Sequence, residues 1–156
     1  MKATIFSLLI LVGLMAVPLT ATPAKTETKR YKIYIKDDKR YILNALTVYH
    51  PEKKQCDSSP LVTASNSTIN ITELKKQKIR WMALSRDLLT RWKGDFQYGD
   101  TVLVTAGDPQ IDGFWVIKDT MNKRFKNKGD LLFDKQVRKL GKWKNVELSK
   151  VTWLTI

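Results

Sequence analysis

Short runs of β-branched and aromatic residues, cut at close intervals by turn-forming pairs, constrain this chain more than any other feature. Tyr31, Ile33 and Ile35 alternate with more polar neighbours, although Tyr34 breaks the strict pattern, and Tyr41 to His50 ends against Pro51. Thr101 to Ala106, Gly113 to Lys118, Asp130 to Phe133 and Asn145 to Ile156 have the same character. Gly99-Asp100, Gly107-Asp108-Pro109 and Asp112-Gly113 separate them with residues suited to tight turns. Two short helices fit between the runs: Ser85 can cap Arg86 to Trp92, and Asp134 can cap Lys135 to Leu140 ahead of Gly141. Residues 25 to 30 and 65 to 78 read as linker and loop. Many short strands with few helices point to a mainly β fold, a small closed barrel in preference to a layered α/β domain.

Composition sets the limits on that fold. At 156 residues the chain is long enough for one domain, and 43% hydrophobic residues supply a packed core. One Cys excludes an internal disulfide framework and a cysteine-based zinc cluster. The 28 Lys plus Arg against 15 Asp plus Glu give +13, a charge that favours polyanionic partners such as nucleic acid, acidic lipid or cell-wall polymer.

The amino terminus narrows these. Lys2, the apolar run Ile5 to Val17 and the small or turn-forming Pro18 to Ala24 have the three-part layout of a secretory signal, with cleavage expected after Ala21 or Ala24. The apolar run is shorter than the ~20 residues of a membrane span. Residues 1–24 are therefore expected to be a signal peptide, 25–40 an extension or linker strand, and 41–156 the folded domain. Removing the signal takes away only Lys2, so the charge falls from +13 to +12. Export to a periplasmic or extracellular location leaves little room for a nucleic-acid partner, and the mature chain is expected to be a monomer without a transmembrane span.

Few residues are suited to chemistry. His50 is the single imidazole, with no second His four residues away, no clustered Cys and no Gly-rich phosphate loop beside it. Cys56, in the turn composition Cys56-Asp57-Ser58-Ser59-Pro60, is either a nucleophile or a small weak hydrophobe. Neither a metal nor another cofactor is implied. Three acids stand in apolar surroundings: Asp87 before Leu88-Leu89, Asp119 after Phe114-Trp115-Val116-Ile117-Lys118, and Asp130 before Leu131-Leu132-Phe133. Burial disfavours the charged carboxylate, raises its pKa and suits it to general-acid work. The ordinary alternative is a helix cap, a turn residue or an ion-pair partner.

The order of these residues resembles the bacterial three-aspartate (3D) domain. The resemblance is carried by Leu46-Thr47-Val48-Tyr49, by Cys56 to Ser65, by Trp81-Met82-Ala83-Leu84-Ser85-Arg86-Asp87-Leu88-Leu89, by Gly99 to Val104, by Asp112 to Thr120, and by Gly129-Asp130-Leu131-Leu132-Phe133. It spans about residues 43 to 152, with Asp87, Asp119 and Asp130 matching the three aspartates. It implies a six-stranded double-psi β-barrel of the kind found in the membrane-bound lytic transglycosylase A family. It also implies Asp130 as the general acid of peptidoglycan glycan cleavage, with a 1,6-anhydro product. By the same resemblance Asp119 would tune or orient Asp130, Asp87 would hold loop structure, and Thr63 would form a polar wall of the groove. Where family members continue Gly-Gly-Ala-Ile-Lys-Gly after the second aspartate, this chain has Thr120-Met121-Asn122-Lys123-Arg124-Phe125-Lys126. The transglycosylases' large second domain is also missing, so a binding module for peptidoglycan, another anionic glycan or a partner protein is the alternative function.

From Lys118 to Lys150 there are 11 Lys plus Arg and 4 Asp plus Glu, and rings interleave with cations at Arg124, Phe125, Trp143 and Lys144. Lys123 and Arg124 in this segment, and Trp115 just before it, are candidates for substrate contact. A solvated basic face with a few buried rings is the plainer reading, and Trp81 and Trp115, lying in strands, are equally suited to the core. Asn66-Ser67-Thr68 and Asn70-Ile71-Thr72 fit the glycosylation pattern, which a bacterial origin leaves without consequence.

Overall fold

In the computed structural model the described residues are 31–54, 56, 58–137 and 141–155, with backbone alone at 31–39 and 153–155. The expected signal peptide, residues 1–24, lies outside them. Seven strands form one mixed sheet: β1 (Tyr31–Leu43), β2 (Ala45–Tyr49), β3 (Trp81–Leu84), β4 (Thr101–Thr105), β5 (Gly113–Thr120), β6 (Lys128–Leu132) and β7 (Val146–Thr155). Their order is β1-β7-β4-β5-β3-β6-β2, with β2/β6 and β3/β5 parallel and the other neighbours antiparallel. The expectation of a mainly β chain holds at that level. The expected closed six-stranded barrel does not: hydrogen bonding runs from β1 to β2 without closing. The two end strands are nevertheless successive pieces of chain, separated by Asn44 alone. β1 also runs through residue 41, where the sequence suggested a boundary between extension and domain.

Alternation along the strands sends side chains to two apolar layers, as the two-residue period of a strand requires. Leu46, Met82, Leu84, Ile117, Leu131 and the fully buried Trp115 belong to the larger layer. Tyr49, Ala83 and Leu132 belong to the smaller, with Ile69 and Leu74 from the excursion between β2 and β3 and Met121 from beyond β5. Both faces of the β2/β6/β3 region are thus covered, which suits its parallel β2/β6 pair.

The excursion contains α1 (Ile71–Lys75), one short turn that the sequence suggested as loop. The Asn70 side chain accepts from the Glu73 amide at 3.1 Å, a cap that starts the helix, and Leu74 anchors it in the smaller layer. The helix expected over Arg86 to Trp92 is instead two 3-10 turns, Arg86–Leu88 and Thr90–Trp92. Ser85 makes no cap there because its Oγ accepts from the Lys128 amide at 3.0 Å, tying this segment to the start of β6. The Asp134 cap is present, accepting from the Gln136 amide at 2.9 Å, and starts a 3-10 turn at Lys135–Val137; residues 138 to 140 lie outside the described residues. Gly113, at φ 112°, opens β5 in a backbone region that other residues adopt with strain.

Gly129 is required for a different reason. A Cβ there would stand 2.9 Å from Leu46 Cδ1 and 3.1 Å from both Leu43 Cδ1 and Met82 Cε. Gly129→Val is expected to lower unfolding free energy by about 1–3 kcal/mol through overpacking of this layer, read as a lowered denaturant midpoint at unchanged slope.

Candidate functional site

A row of four laterally paired residues crosses β2, β6, β3 and β5. Thr47 pairs with Asp130, Asp130 with Ala83, and Ala83 with Asp119. Laterally paired residues point to the same face of a sheet, so both acids share the face of Ala83. Their backbones stand two strand spacings apart, about 10 Å, with only a methyl group between them.

One irregularity makes this arrangement. Met82 pairs with Ile117, but the next residue, Ala83, pairs with Asp119, so Lys118 is an extra residue in β5. In an unbroken register Lys118 would stand beside Ala83, and Asp119 would share the core face of Leu84. The bulge reverses this and aims Asp119 away from the core. The Lys118 carbonyl, freed from regular pairing, accepts from the Ser65 amide at 3.1 Å.

Asp119 is held by three donors. Its Oδ1 accepts from the amides of Ala64 at 2.9 Å and Thr120 at 2.8 Å, and its Oδ2 from the Tyr49 hydroxyl at 3.1 Å. Burial first, then the Asp119 charge and hydrogen bond, push the Tyr49 hydroxyl well above its ordinary pKa, so it remains a donor. Asp130 has different surroundings. The Thr47 hydroxyl donates to its Oδ1 at 2.9 Å. Burial pushes its pKa up to about 6, the Asp119 charge pushes the same way, and the Thr47 hydrogen bond and His50 oppose them. Two acids on one face are therefore differently equipped: one is fixed by donors, the other holds its proton to a higher pH than an ordinary carboxyl, up to about 6.

Both line a cavity of about 540 Å³, together with Tyr49, Ala83, Arg86, Arg124 and Phe125 among others. Asp87 lies outside it. Its Oδ2 accepts from the Asn127 amide at 2.9 Å, and with Ser85 it clamps the chain entering β6. Thr63 is not a wall of the cavity. It is buried, its hydroxyl is engaged with Ser65 Oγ at 3.0 Å and the Ser67 backbone, and the neighbouring Val62 and Ala64 line the cavity instead. Trp115 does not line the cavity either: it is 1% exposed, faces the larger core layer, donates from Nε1 to the Ile111 carbonyl at 2.7 Å and carries the Arg80 guanidinium on its ring. Lys123 is exposed and does not line the cavity, whereas Arg124 does, with its guanidinium 4.8 Å from the Phe125 ring centroid. Trp81, half-buried, packs on the smaller layer under Lys118.

Cys56 lines the cavity and its Sγ donates to the His50 carbonyl at 3.5 Å. His50 is buried, with Nδ1 2.9 Å from the Phe133 carbonyl. Among the described residues no group of three His, Cys, Asp or Glu could hold a metal ion, and no helix is long and apolar enough to cross a membrane. No protein-family model matches the chain, and no curated protein matches its sequence.

Thr47, Tyr49, Ala83 and Arg86 belong to the site without having been singled out from the sequence. Thr47 and Tyr49 occupy the alternate positions of β2 that face away from Leu46 and Val48, a two-residue pattern that was visible; their partners, more than 65 residues away, were not.

The raised Asp130 pKa has a consequence for folding. The folded state holds its proton to higher pH than the unfolded chain, so the contribution of this group is most favourable below its unfolded pKa of ~4 and is lost as pH rises through about 6. The ionised group costs on the order of 3 kcal/mol above that. Denaturant unfolding between pH 4 and 7 is expected to show that decline in the native sequence and its loss in Asp130→Asn, which keeps an acceptor for Thr47.

Proposed function

We propose that this is an exported bacterial cell-wall protein that cleaves peptidoglycan glycan strands by a lytic transglycosylase-like reaction. The observation that carries the reading is the pair of aspartates, one held by three donors and one with a raised pKa, on either side of Ala83 in a single cavity. Resemblance to the three-aspartate domain supplies the substrate class, and the surplus of Lys and Arg suits an anionic polymer.

The Asp130 carboxyl donates its proton to the bridging glycosidic oxygen as the bond from that oxygen to the anomeric carbon breaks. The 6-hydroxyl oxygen of the same sugar closes on the anomeric carbon, and its proton passes to the Asp130 carboxylate. Atoms balance without water, and the product is a 1,6-anhydro sugar. One acid that serves in both directions suffices, in contrast to the two carboxylates of ordinary glycoside hydrolysis. Burial first, with the Asp119 charge adding to it, favours the proton on Asp130, and the Asp119 carboxylate, held by its three donors, faces the positive charge that develops on the sugar ring. Tyr49 is a positioning residue that acts through Asp119, and Thr47 one that acts through Asp130.

The same reading takes the sheet as a double-psi barrel parted between β1 and β2. Its supports are the two parallel pairs and the chain continuity of the two end strands through Asn44. A second reading, a wall-binding module without catalysis, is favoured by the exposed Leu61 and Val62, the latter at the cavity.

Incubation of the mature protein with purified peptidoglycan is expected to release anhydro-muropeptides, detected by mass spectrometry. Asp130→Asn should reduce release by about a hundredfold or more, in the range of a lost general acid. Absence of product with retained sedimentation on peptidoglycan would establish the binding module, and full cleavage by Asp130→Asn would remove the catalytic assignment.

A further inference from the structure

Two of the cavity's residues are arginines whose guanidinium groups make no ion pair or hydrogen bond among the described residues. Arg86 follows Ser85 at the start of the first 3-10 turn, and its Nε is buried without a hydrogen-bond partner. Its guanidinium carbon lies 5.1 Å from the Trp92 ring centroid, which holds the side chain by an apolar and cation–π contact and leaves its donors unspent. Arg124 stands on the segment between β5 and β6 and is held in the same way by Phe125. The Asp119 carboxylate takes the Tyr49 hydroxyl and the Ala64 and Thr120 amides, and pairs with neither arginine. A buried, unpaired guanidinium nitrogen is costly. A planar anion entering the cavity would relieve that cost, and a carboxylate matches the guanidinium fork.

We propose that Arg86 and Arg124 form a subsite for a carboxylate carried by the glycan, so that the cavity distinguishes acidic sugars from neutral ones. This rests on the glycan-binding reading and sharpens it. Arg124 and Phe125 lie in the segment that replaces the glycine-rich pattern of the family resembled, so the subsite is built where this chain departs from that pattern. Arg86 and Arg124 line the same cavity as Asp130, so a carboxylate held between them would set the sugar's register against that acid.

The test is calorimetric binding to the mature Asp130→Asn protein, in which turnover is slowed. The probes are a peptidoglycan tetrasaccharide with free lactyl carboxylates and chitotetraose, its neutral counterpart of equal ring number. The acidic glycan is expected to bind about tenfold or more tighter than the neutral one. Adding Arg86→Gln, or Arg124→Gln on the exposed side, should remove most of that preference by weakening the acidic glycan far more than chitotetraose. Arg86→Lys, which retains charge and stem, should keep the fold and lose part of the preference along with the fork. Equal binding of both glycans, or a preference indifferent to both arginines, would overturn the subsite and leave the glycan reading standing. Binding of neither glycan would overturn both.

Discussion

A single extra residue in β5 determines what this sheet can do. Without the bulge at Lys118, Asp119 would be turned toward the layer of Leu84 and Ile117, where a carboxylate has no partners. With it, Asp119 comes to the face of Ala83, where the Tyr49 hydroxyl and two amides receive it. Asp130 needs no such device, because the alternation of β6 already sends Gly129 and Leu131 to the core and Asp130 to the opposite face. The small side chain of Ala83 then keeps the space between the two acids open.

The surroundings of the row supply its rigidity. Ser85 and Asp87 bind the backbone at Lys128 and Asn127, so the segment that begins β6 is tied to the end of β3 on its approach to Asp130. The acid that the sequence grouped with two catalytic candidates is thus an anchor for one of them. Asn127 extends the clamp by donating from Nδ2 to the Ile42 carbonyl and accepting from the Asn44 amide, next to the junction of β1 and β2.

Much of the fold was legible from the sequence, and the reasons for the exceptions are specific. Gly99, Gly107 and Gly113 mark turns because their positive φ values are local properties of the residue. α1 escaped because one turn is too short to show a helical period; Asn70 with Glu73 three residues later was its only signal. Trp115 reads as a candidate for substrate contact because aromatic interleaving looks alike in a groove and in a core, and only its strand partners place it in the core. Thr63 lay one residue from the group that matters, the Ala64 amide, and a backbone donor has no sequence signature. The bulge was invisible for the same kind of reason: register is a property of two strands, and β3 and β5 are separated by nearly thirty residues.

The central claim is that the fold makes two nearby aspartates unlike each other. Titration of the Asp130 side-chain carboxyl by carbon-13 NMR, in the native sequence and in Asp119→Asn, tests it most directly. A midpoint near 6 that moves down when Asp119 loses its charge is the expected result. A midpoint near ~4, unmoved by Asp119→Asn, would contradict the account.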